Sequence, residues 1–212
     1  MKYDYIIWDF NGTIIDDRKL CLDILNKMLK ERDLKTVNLA EYREVFGFPI
    51  INYYKKVGFD FTKEDFSIIA VEFVDQYQKE SLEVGLVKGS LDTIKALEEK
   101  GYNQIVISAS EINNLKEQLD HYNLSKYFQE VIGLSDVEAA SKTSIAIDWL
   151  ESKKNKNLKL LMVGDSLHDF EVAQAIGAEC ILIDEGSHQS KRRLEETGCK
   201  VLNNSQELLK IL

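Results

Sequence analysis

The stretch YIIWDFNGTIIDD, Tyr5 to Asp17, decides the fold. Its first four residues are apolar, which is typical of a short strand buried on both faces. The strand delivers one carboxylate, Asp9, to its tip, and the turn-prone cluster Asn11–Thr13 follows almost at once. The residue two positions after Asp9 is an amide and not a second acid, so the stretch predicts a site and also raises a question about its chemistry.

The composition describes an ordinary globular protein with an acidic balance. The chain has 212 residues, 44% hydrophobic and 30% charged, enough for one large domain or one domain with a smaller insert. A formal net charge of -9 argues against a general nucleic-acid binder and against docking on anionic membranes. No apolar run approaches the ~20 residues of a spanning helix. The N-terminus does not resemble a signal peptide, so we expect a cytoplasmic protein.

The cysteines and histidines form no recognisable metal or disulfide pattern. The three cysteines include no CxxC pair, which is typical of reduced, cytoplasmic thiols. The three histidines are scattered along the chain, so we expect no histidine-based zinc site. The six residues are Cys21, Cys180, Cys199, His121, His168 and His188.

Strand-like and helix-like segments alternate through most of the chain. The short apolar runs YIIW, QIVIS, EVIG, LKLLMVG and CILID predict buried strands. Residues 89–100, 111–122, 142–150 and 169–176 carry helical patterns, and a last short helix is predicted near 205–212. Because such alternation requires parallel strands covered on both faces, we predict an α/β fold with a Rossmann-like, doubly wound parallel sheet.

One section interrupts this alternation and reads as helices alone. We predict a core domain made of residues 1–15 and 85–212, and a small all-helical cap, residues 16–84, inserted after the first strand. Aromatic residues concentrate in the cap, where they are interpreted as the core of a helical bundle, with a few of them as alternative lining of a substrate pocket. They are Tyr42, Phe46, Phe48, Tyr53, Tyr54, Phe59 and Phe61.

Polar side chains follow several of the predicted strands. The first strand delivers Asp9, QIVIS ends in Ser108, and LKLLMVG is followed by Asp165. Asp169 lies four residues further on, and Lys142 opens the helix before that strand. Taken singly, each residue has a simpler explanation as a cap, a turn former or a surface charge. Because open parallel sheets bind ligands beyond the carboxyl ends of their strands, we expect these side chains to converge.

The charges of this group fit phosphate chemistry with a metal ion. Asp9 and Asp165 would repel each other unless a cation lay between them, and oxygen ligands suit Mg²⁺. Mg²⁺ and Lys142 would supply positive charge to a phosphoryl group. The Ser108 hydroxyl and the backbone N–H groups of the Gly12–Thr13 turn would donate to its oxygens. A carboxylate placed like Asp9 can attack phosphorus and form an aspartyl-phosphate.

On these motifs, the sequence resembles the haloacid dehalogenase (HAD) superfamily of phosphohydrolases, within its phosphoglycolate-phosphatase-like branch. IIWDFNGTIIDD looks like the first motif, an apolar strand followed by DxDGT, and IVISAS looks like the second. Lys142 in ASKTS stands where the third motif places its lysine, 23 residues before Asp165, and LMVGDSLHD looks like the fourth, GDxxxD. The resemblance covers nearly the whole chain and implies a HAD-like core with a helical cap between the first two motifs.

The resemblance implies a catalytic and metal-binding set. Asp9 is expected to be the nucleophile and a Mg²⁺ ligand. The residue at position 11, here Asn11, is expected to give its backbone carbonyl to Mg²⁺ and its side chain to acid–base catalysis. Lys142 is expected to orient Asp9 and neutralise the phosphate. Asp165 would ligate Mg²⁺ directly, and Asp169 would help to hold the metal through water or through a neighbour.

The resemblance also implies a phosphate-binding set. Ser108 is expected to bind phosphate, with Ala109 and Ser110 lining the site. Gly12 and Thr13 complete the cradle, and Thr13 supports the loop that carries the nucleophile. Mg²⁺ is the expected cofactor. The expected partner is a small phosphorylated metabolite, with neither nucleic acid nor membrane involved, and the expected assembly is a monomer or a homodimer.

Asn11 departs from the family pattern, in which this position usually carries an acid. That acid protonates the leaving alkoxide and then activates the attacking water, and an amide can do neither. Loss of acid–base help typically removes roughly 10²–10⁴ in rate. Four interpretations stay open at this point. They are a substrate with a good leaving group, a slow enzyme with a long-lived aspartyl-phosphate, a ligand-binding or partner-binding protein, and an Asp→Asn change introduced to trap a complex.

The leading functional prediction is therefore a Mg²⁺-dependent phosphatase that acts on a small, phosphoglycolate-like metabolite through Asp9. A catalytically weak ligand-binding or regulatory protein on the same fold is the alternative, and it depends on Asn11 alone. A dehalogenase is disfavoured by GDSLHD, and a phosphomutase is disfavoured by Asn11, because such enzymes also use the acid. His168 is expected to point away from the site, and the basic run at 191–193 is interpreted as a solvated helix face.

Overall fold

The computed structural model of the protein describes residues 1–135, 141–154 and 157–212. Six of the eight strands in these ranges form one parallel sheet in the order β5-β4-β1-β6-β7-β8, and the other two, β2 and β3, form a separate antiparallel pair. The strands are β1 Tyr5–Trp8, β2 Ile15–Asp16, β3 Gly85–Leu86, β4 Gln104–Glu111, β5 Glu130–Leu134, β6 Leu160–Gly164, β7 Glu179–Ile183 and β8 Lys200–Leu202.

Helices cover both faces of the sheet and make up most of the segment between β2 and β3. Two 3₁₀ helices, Ser125–Tyr127 and Ser205–Lys210, lie among the α-helices. The α-helices are α1 Arg18–Glu31, α2 Leu39–Val45, α3 Ile50–Val57, α4 Phe66–Glu80, α5 Ser90–Glu99, α6 Ile112–His121, α7 Lys142–Ser152, α8 Leu167–Ile176 and α9 Lys191–Glu195.

Strand β1 is central, and its pairing places the predicted carboxylates side by side. Trp8 is in register with Val106 of β4 on one side and with Val163 of β6 on the other. Asp9 follows Trp8 directly, and Asp165 follows the last residue of β6. Because parallel strands end at the same edge of a sheet, the two acids emerge next to each other.

The alternation of side chains along β1 explains why the strand is apolar throughout. Ile6 and Trp8 belong to the hydrophobic cluster under α5 and α6, whereas Ile7 belongs to the cluster under α7 and α8. Successive side chains of a strand point to opposite faces, so a strand covered on both faces has no polar side. The predicted fold class, a doubly wound parallel α/β sheet with helices on both faces, is confirmed.

Helices α1 to α4, which we call the cap helices, enclose a hydrophobic cluster of their own. Its buried members include Met28 of α1, Tyr42 of α2, Tyr53 of α3 and Ile69 of α4. Most of the aromatic side chains of this segment pack here, in agreement with their interpretation as a bundle core. The boundaries 16–84 for a separate cap domain stay a prediction.

The structure differs from the sequence expectations at several elements. Strand β8 was not expected, because its three residues are too short for a recognisable pattern, and β2–β3 pairs the two ends of the inserted segment. Strand β4 continues past Ser108, with an irregular register between Ile107 and Glu111. Residues 205–210 form a 3₁₀ helix. Within the described ranges, no helix has the length and apolar character needed to cross a membrane.

Candidate active site

Asp9 lies buried at the carboxyl end of β1, where it is held from three sides. Its backbone N–H donates to the carbonyl of Val163 at 2.8 Å, which continues the pairing of β1 with β6. Thr13 donates from Oγ1 to Asp9 Oδ2 at 3.1 Å, and the Lys142 ammonium contacts Asp9 Oδ1. The turn after β1 therefore returns on itself, and Thr13 contacts the carboxylate of Asp9.

Lys142 is buried at the start of α7, between two carboxylates. Its Nζ lies 2.5 Å from Asp169 Oδ1 and also contacts Asp9. Burial disfavours the ammonium form, but Asp169 and Asp9 outweigh it and raise the pKa of Lys142. The lysine is therefore a fixed positive charge beside the predicted nucleophile.

Asp169 organises the loop that follows β6. Its Oδ2 accepts hydrogen bonds from the backbone N–H groups of Asp165 at 3.1 Å and Ser166 at 3.0 Å, and from the Ser166 hydroxyl at 2.7 Å. Burial favours the neutral acid, but the Lys142 ammonium outweighs it and lowers the pKa of Asp169. Both oxygens are thus engaged, one with the loop and the other with Lys142.

The three acids form a cluster with more negative charge than its surroundings balance. Single oxygens of Asp9, Asp165 and Asp169 lie within 4.8 Å of one another, and all three residues are buried. Burial raises the pKa of Asp9 to about 6. The Lys142 ammonium opposes this shift, and repulsion by Asp169 adds to it. Burial also raises the pKa of Asp165, against the influence of His188 and with the repulsion of Asp9 and Asp169.

A divalent cation fits this cluster. Within the described part of the chain, Asp165 makes no ion pair with a lysine or arginine, and its Oδ2 accepts from the His188 backbone N–H at 2.8 Å. Oxygen-only ligands that would otherwise repel each other are the environment that Mg²⁺ prefers. The residues present therefore fit the metal that the sequence predicts.

Gly12 permits the close approach of the nucleophile loop to Asp165. Its φ is +74°, and a Cβ built on it would lie 2.6 Å from both Asp165 Oδ2 and the His188 ring. Gly186 makes a second close approach, since its Cβ would lie 2.4 Å from the Gly12 carbonyl oxygen. Only glycine satisfies both the left-handed backbone and the contact distance at position 12.

Ser108 and Ser110 form a hydrogen-bonded group with the side chain of Asn11. The Ser110 hydroxyl donates to Asn11 Oδ1 at 2.9 Å, and the Ser108 hydroxyl lies 3.1 Å from the Ser110 hydroxyl and 3.4 Å from Asn11 Oδ1. Ser108 is buried, whereas Ala109 and Ser110 are half-buried. The irregular end of β4 therefore turns two hydroxyl groups towards the nucleophile loop, as the prediction of a phosphate site requires.

Asn11 is held through its amide nitrogen by two residues that the sequence did not single out. Nδ2 donates to Asp17 Oδ2 at 2.9 Å and to the Tyr77 hydroxyl, on cap helix α4, at 2.8 Å. Tyr77 in turn donates to Asp17 at 2.8 Å. Because a carboxylate only accepts, the NH₂ group of Asn11 must face Asp17, and its carbonyl must face the two serines.

Asp17 is the centre of a buried network between core and cap helices. Its Oδ1 lies 2.9 Å from His188 Nε2, and His188 Nδ1 lies 2.7 Å from the Tyr42 hydroxyl of α2. Burial favours neutral forms of both, but each stabilises the charge of the other. The pKa of Asp17 is lowered and that of His188 is raised. We call Asp17, His188, Tyr42 and Tyr77 the Asp17 network.

The Asp17 network favours an amide over a carboxylate at position 11. A carboxylate there would face the ionised Asp17 at hydrogen-bond distance and repel it, whereas the amide donates to it. Asn11 is therefore matched to Asp17.

Comparison with known proteins agrees with this geometry. The model of the haloacid dehalogenase-like hydrolase family matches residues 6–183. The chain belongs to this family. A phosphoglycolate phosphatase of Aquifex aeolicus is 29% identical over 184 residues, covering 84% of this chain and 83% of the relative. A pyrophosphatase, PpaX, of Halalkalibacterium halodurans is 20% identical over 187 residues, covering 86% and 84%.

A solved structure shows the same fold. A haloacid dehalogenase-like hydrolase of Streptococcus pneumoniae superposes with a TM-score of 0.83 at 15% identity, covering 99% of this chain and 98% of that one. The family match confirms the predicted membership and the prediction of an enzyme of this hydrolase type. The roles of individual residues stay predictions.

Two side chains about which the sequence made a prediction, His168 and Arg193, lie outside the acid cluster. His168 stacks on Phe48, with ring centroids 4.5 Å apart, and bonds Glu171 at 3.1 Å. Arg193 was expected on a solvated helix face, and this is wrong. Its guanidinium is half-buried and donates to the carbonyls of Phe46 and Arg43, so it joins α9 to α2. A basic run near a helix start gave no signal of this contact.

The residues that sequence reasoning missed are Asp17, Tyr77 and His188. Asp17 lies in the quoted opening stretch but outside the motif residues that carry the resemblance. The signal that could have found it is the pairing of an amide at position 11 with an additional acid six residues later. His188 lies in GSHQS, which matches no motif, so nothing local predicts its position beside Asp165.

Proposed function

We propose that this hydrolase is a Mg²⁺-dependent phosphatase that acts on a small phosphorylated metabolite through an aspartyl-phosphate at Asp9. The observation that carries the proposal is the buried cluster of Asp9, Asp165 and Asp169, with Lys142 as its one directly paired lysine among the described residues. A carboxylate beside a metal site and a fixed ammonium is suited to attack a bound phosphoryl group.

In this proposal Asp9, Asp165 and the backbone carbonyl of Asn11 would hold Mg²⁺, which when bound supplies positive charge at the phosphoryl oxygens. Asp169 holds Lys142 and the loop after β6, since both of its oxygens are already engaged. This supports the expectation that it acts through neighbours.

The remaining residues of the proposed site bind and orient. Lys142 neutralises charge between Asp9 and the phosphate. Ser108 and Ser110 donate hydroxyl hydrogen bonds to phosphate oxygens, with Ala109 beside them, and the backbone around Gly12 and Thr13 adds N–H donors. Thr13 donates a hydrogen bond to Asp9 Oδ2 and so helps to fix the orientation of the carboxylate.

Known relatives support the substrate class. Their names include phosphoglycolate phosphatase and pyrophosphatase, both of which act on small phosphorylated compounds. We propose a substrate of the size of phosphoglycolate, and action in the cytoplasm by a monomer or a homodimer.

The test is a screen of phosphorylated metabolites with wild type and Asp9→Asn, in Mg²⁺ and in a chelator. Wild type with Mg²⁺ should release phosphate, and acid-quenched protein should carry one phosphoryl group on Asp9 by mass spectrometry. Asp9→Asn and the chelated enzyme should do neither, whereas the exposed control Asp23→Asn should behave as wild type. Full activity of Asp9→Asn would refute the proposal.

A ligand-binding or regulatory protein on the same fold is the second candidate, and the locked amide of Asn11 favours it. If wild type binds a phosphometabolite tightly and hydrolyses none, and Asn11→Asp gains no activity, the binding protein is the correct conclusion. Phosphorylation of Asp9 during turnover excludes it.

A further inference from the structure

Asn11 stands at the position where, by the resemblance given above, the family's acid passes a proton to a leaving group. Its carbonyl oxygen faces Ser108 and Ser110, and its NH₂ group faces away, towards Asp17 and Tyr77. An amide has no proton that it can transfer near neutral pH. The side chain at position 11 therefore cannot act as an acid.

The titratable neighbours of the Asn11 side chain offer no proton that is free of a protein partner. Asp17 accepts hydrogen bonds from the Gly12 N–H at 3.1 Å, from Asn11 and from Tyr77, so it is an acceptor with no proton to give. The Tyr77 hydroxyl proton is committed to Asp17. Among the described residues, these are the two titratable side chains that bond to the Asn11 side chain.

His188 is also committed, although it lies close to Gly12 and Asp165. One ring nitrogen is bonded to Asp17 at 2.9 Å and the other to Tyr42 at 2.7 Å. Lys142 is held between Asp9 and Asp169. The protons of His188, Tyr77 and Lys142 are thus already shared with other protein groups.

We propose that the substrates of this site carry their phosphoryl group on an oxygen that leaves as a stable anion, a carboxylate or a phosphate. This rests on the proposed function and names its substrate class: acyl phosphates and phosphoanhydrides, in contrast to phosphate esters of ordinary alcohols. An alkoxide is about as basic as hydroxide, and it leaves poorly without a proton.

The reaction then balances without an acid at position 11. An oxygen of Asp9 forms a bond to phosphorus, the bond from phosphorus to the leaving oxygen breaks, and its electron pair departs on the carboxylate or phosphate. Water then attacks the phosphorus of the aspartyl-phosphate. The bond to Asp9 breaks with its electron pair returning to the Asp9 carboxylate, and both protons of the water stay on the dihydrogen phosphate that is released.

The experiment measures kcat/KM with Mg²⁺ on a series of aryl phosphates whose phenols range from strongly to weakly acidic, together with an alkyl phosphate, acetyl phosphate and pyrophosphate. The kcat/KM of the wild type should decline steeply as the phenol becomes less acidic. The kcat/KM of Asn11→Asp should exceed that of the wild type by roughly 10²–10⁴ on the alkyl phosphate. On the aryl phosphate with the most acidic phenol, the two values should be nearly equal. The relative rates on acetyl phosphate and pyrophosphate distinguish the two sources of a stable leaving anion.

Two further variants keep the result interpretable. Because a carboxylate at position 11 would face Asp17, the series is repeated on the double variant Asn11→Asp with Asp17→Asn. Asn203→Asp makes the same chemical change at an exposed position and should keep the wild-type slope. A wild-type series that does not depend on phenol acidity would overturn the inference while leaving the phosphatase intact. Absence of hydrolysis and of phospho-Asp9 with every compound would overturn the proposed function itself.

Discussion

At the scale of single residues, the site is a balance of buried charges. Lys142 compensates Asp9 and Asp169. Burial raises the pKa of Asp165, and no lysine or arginine among the described residues pairs with it to oppose this shift. Removing one partner of a buried ion pair is far more costly than removing an exposed one, because the remaining charge stays out of water. Each buried charge of this cluster should therefore be measurable by substitution.

Lys142→Met should lower the free energy of unfolding by about 3–5 kcal/mol at pH 8 without metal, because it leaves two buried carboxylates unpaired. The loss should shrink as the pH falls. Asp9, whose folded-state pKa is already raised by burial to about 6, then takes up a proton and loses its charge. Urea unfolding at pH 8 and pH 5.5 measures this, with exposed Lys27→Met as control. Equal losses at both pH values would contradict the charge balance.

Gly12→Ala should be more damaging than the same change at another glycine with positive φ. Both Gly12 and Gly101 have left-handed φ, +74° and +83°, which costs a non-glycine residue about 1–2 kcal/mol. The methyl group at position 12 would also meet Asp165 at 2.6 Å, whereas position 101 is open.

Gly12→Ala should therefore lose about 1–3 kcal/mol more than Gly101→Ala, and it should also weaken phosphate binding. Denaturant unfolding and titration with inorganic phosphate in Mg²⁺ test the pair. Equal stability and equal phosphate affinity of the two variants would show that close packing at position 12 is unimportant.

At the scale of elements, the loop between β7 and α9 joins the cap helices to the acid cluster. Arg43 of α2 donates to the Gln189 carbonyl at 2.7 Å and to Asp184 at 2.6 Å. His188 of the same loop bonds Asp17 through its ring and Asp165 through its backbone N–H. One short segment thus contacts both α2 and Asp165, a proposed metal ligand.

The ion pair of Asp17 and His188 should make stability depend on pH. The pKa of His188 is raised in the folded protein, so its contribution is complete below the unfolded value of about 6.5 and is lost as pH rises through the folded value. In metal-free protein, Tm should fall from pH 6.5 upwards, and His188→Gln should remove part of this slope.

Thermal unfolding across pH 6 to 9 in a chelator measures the effect, with the exposed His121→Gln as control. A difference in Tm between wild type and His188→Gln that stays constant over this range would show that the pair contributes no proton-linked stability.

At the scale of the whole molecule, metal binding and folding should be linked. Asp9 comes from β1 and Asp165 from β6, so a cation that binds both stabilises only the folded sheet. At 100 times its dissociation constant, Mg²⁺ should add about 2.7 kcal/mol of stability. For a chain of this size, that raises Tm by roughly 5–10 °C.

Differential scanning calorimetry with and without Mg²⁺ measures this shift. Asp165→Asn should abolish it, and Asp75→Asn, an exposed change on α4, should keep it. A full shift in Asp165→Asn would remove this residue from the proposed ligand set.

Much of the architecture was accessible from local patterns. Continuous apolar runs and the helical stripes between them are properties of neighbouring residues, and they predicted five of the six strands of the parallel sheet. Strand β8 escaped because three residues carry too little pattern. Asp9, Ser108, Asp165 and Lys142 were predicted to meet because strand ends converge by topology.

The sequence by itself therefore determined the fold class, the edge of the sheet where chemistry can occur, and the residues that reach it. Only the tertiary structure decided what surrounds Asn11. Asp17 and His188 are 171 positions apart, and Tyr77 reaches them from a cap helix. Such contacts depend on how the cap helices and the loop after β7 pack together, which no local period encodes. Because of that packing, the amide of Asn11, which departs from the family pattern, donates a hydrogen bond to Asp17.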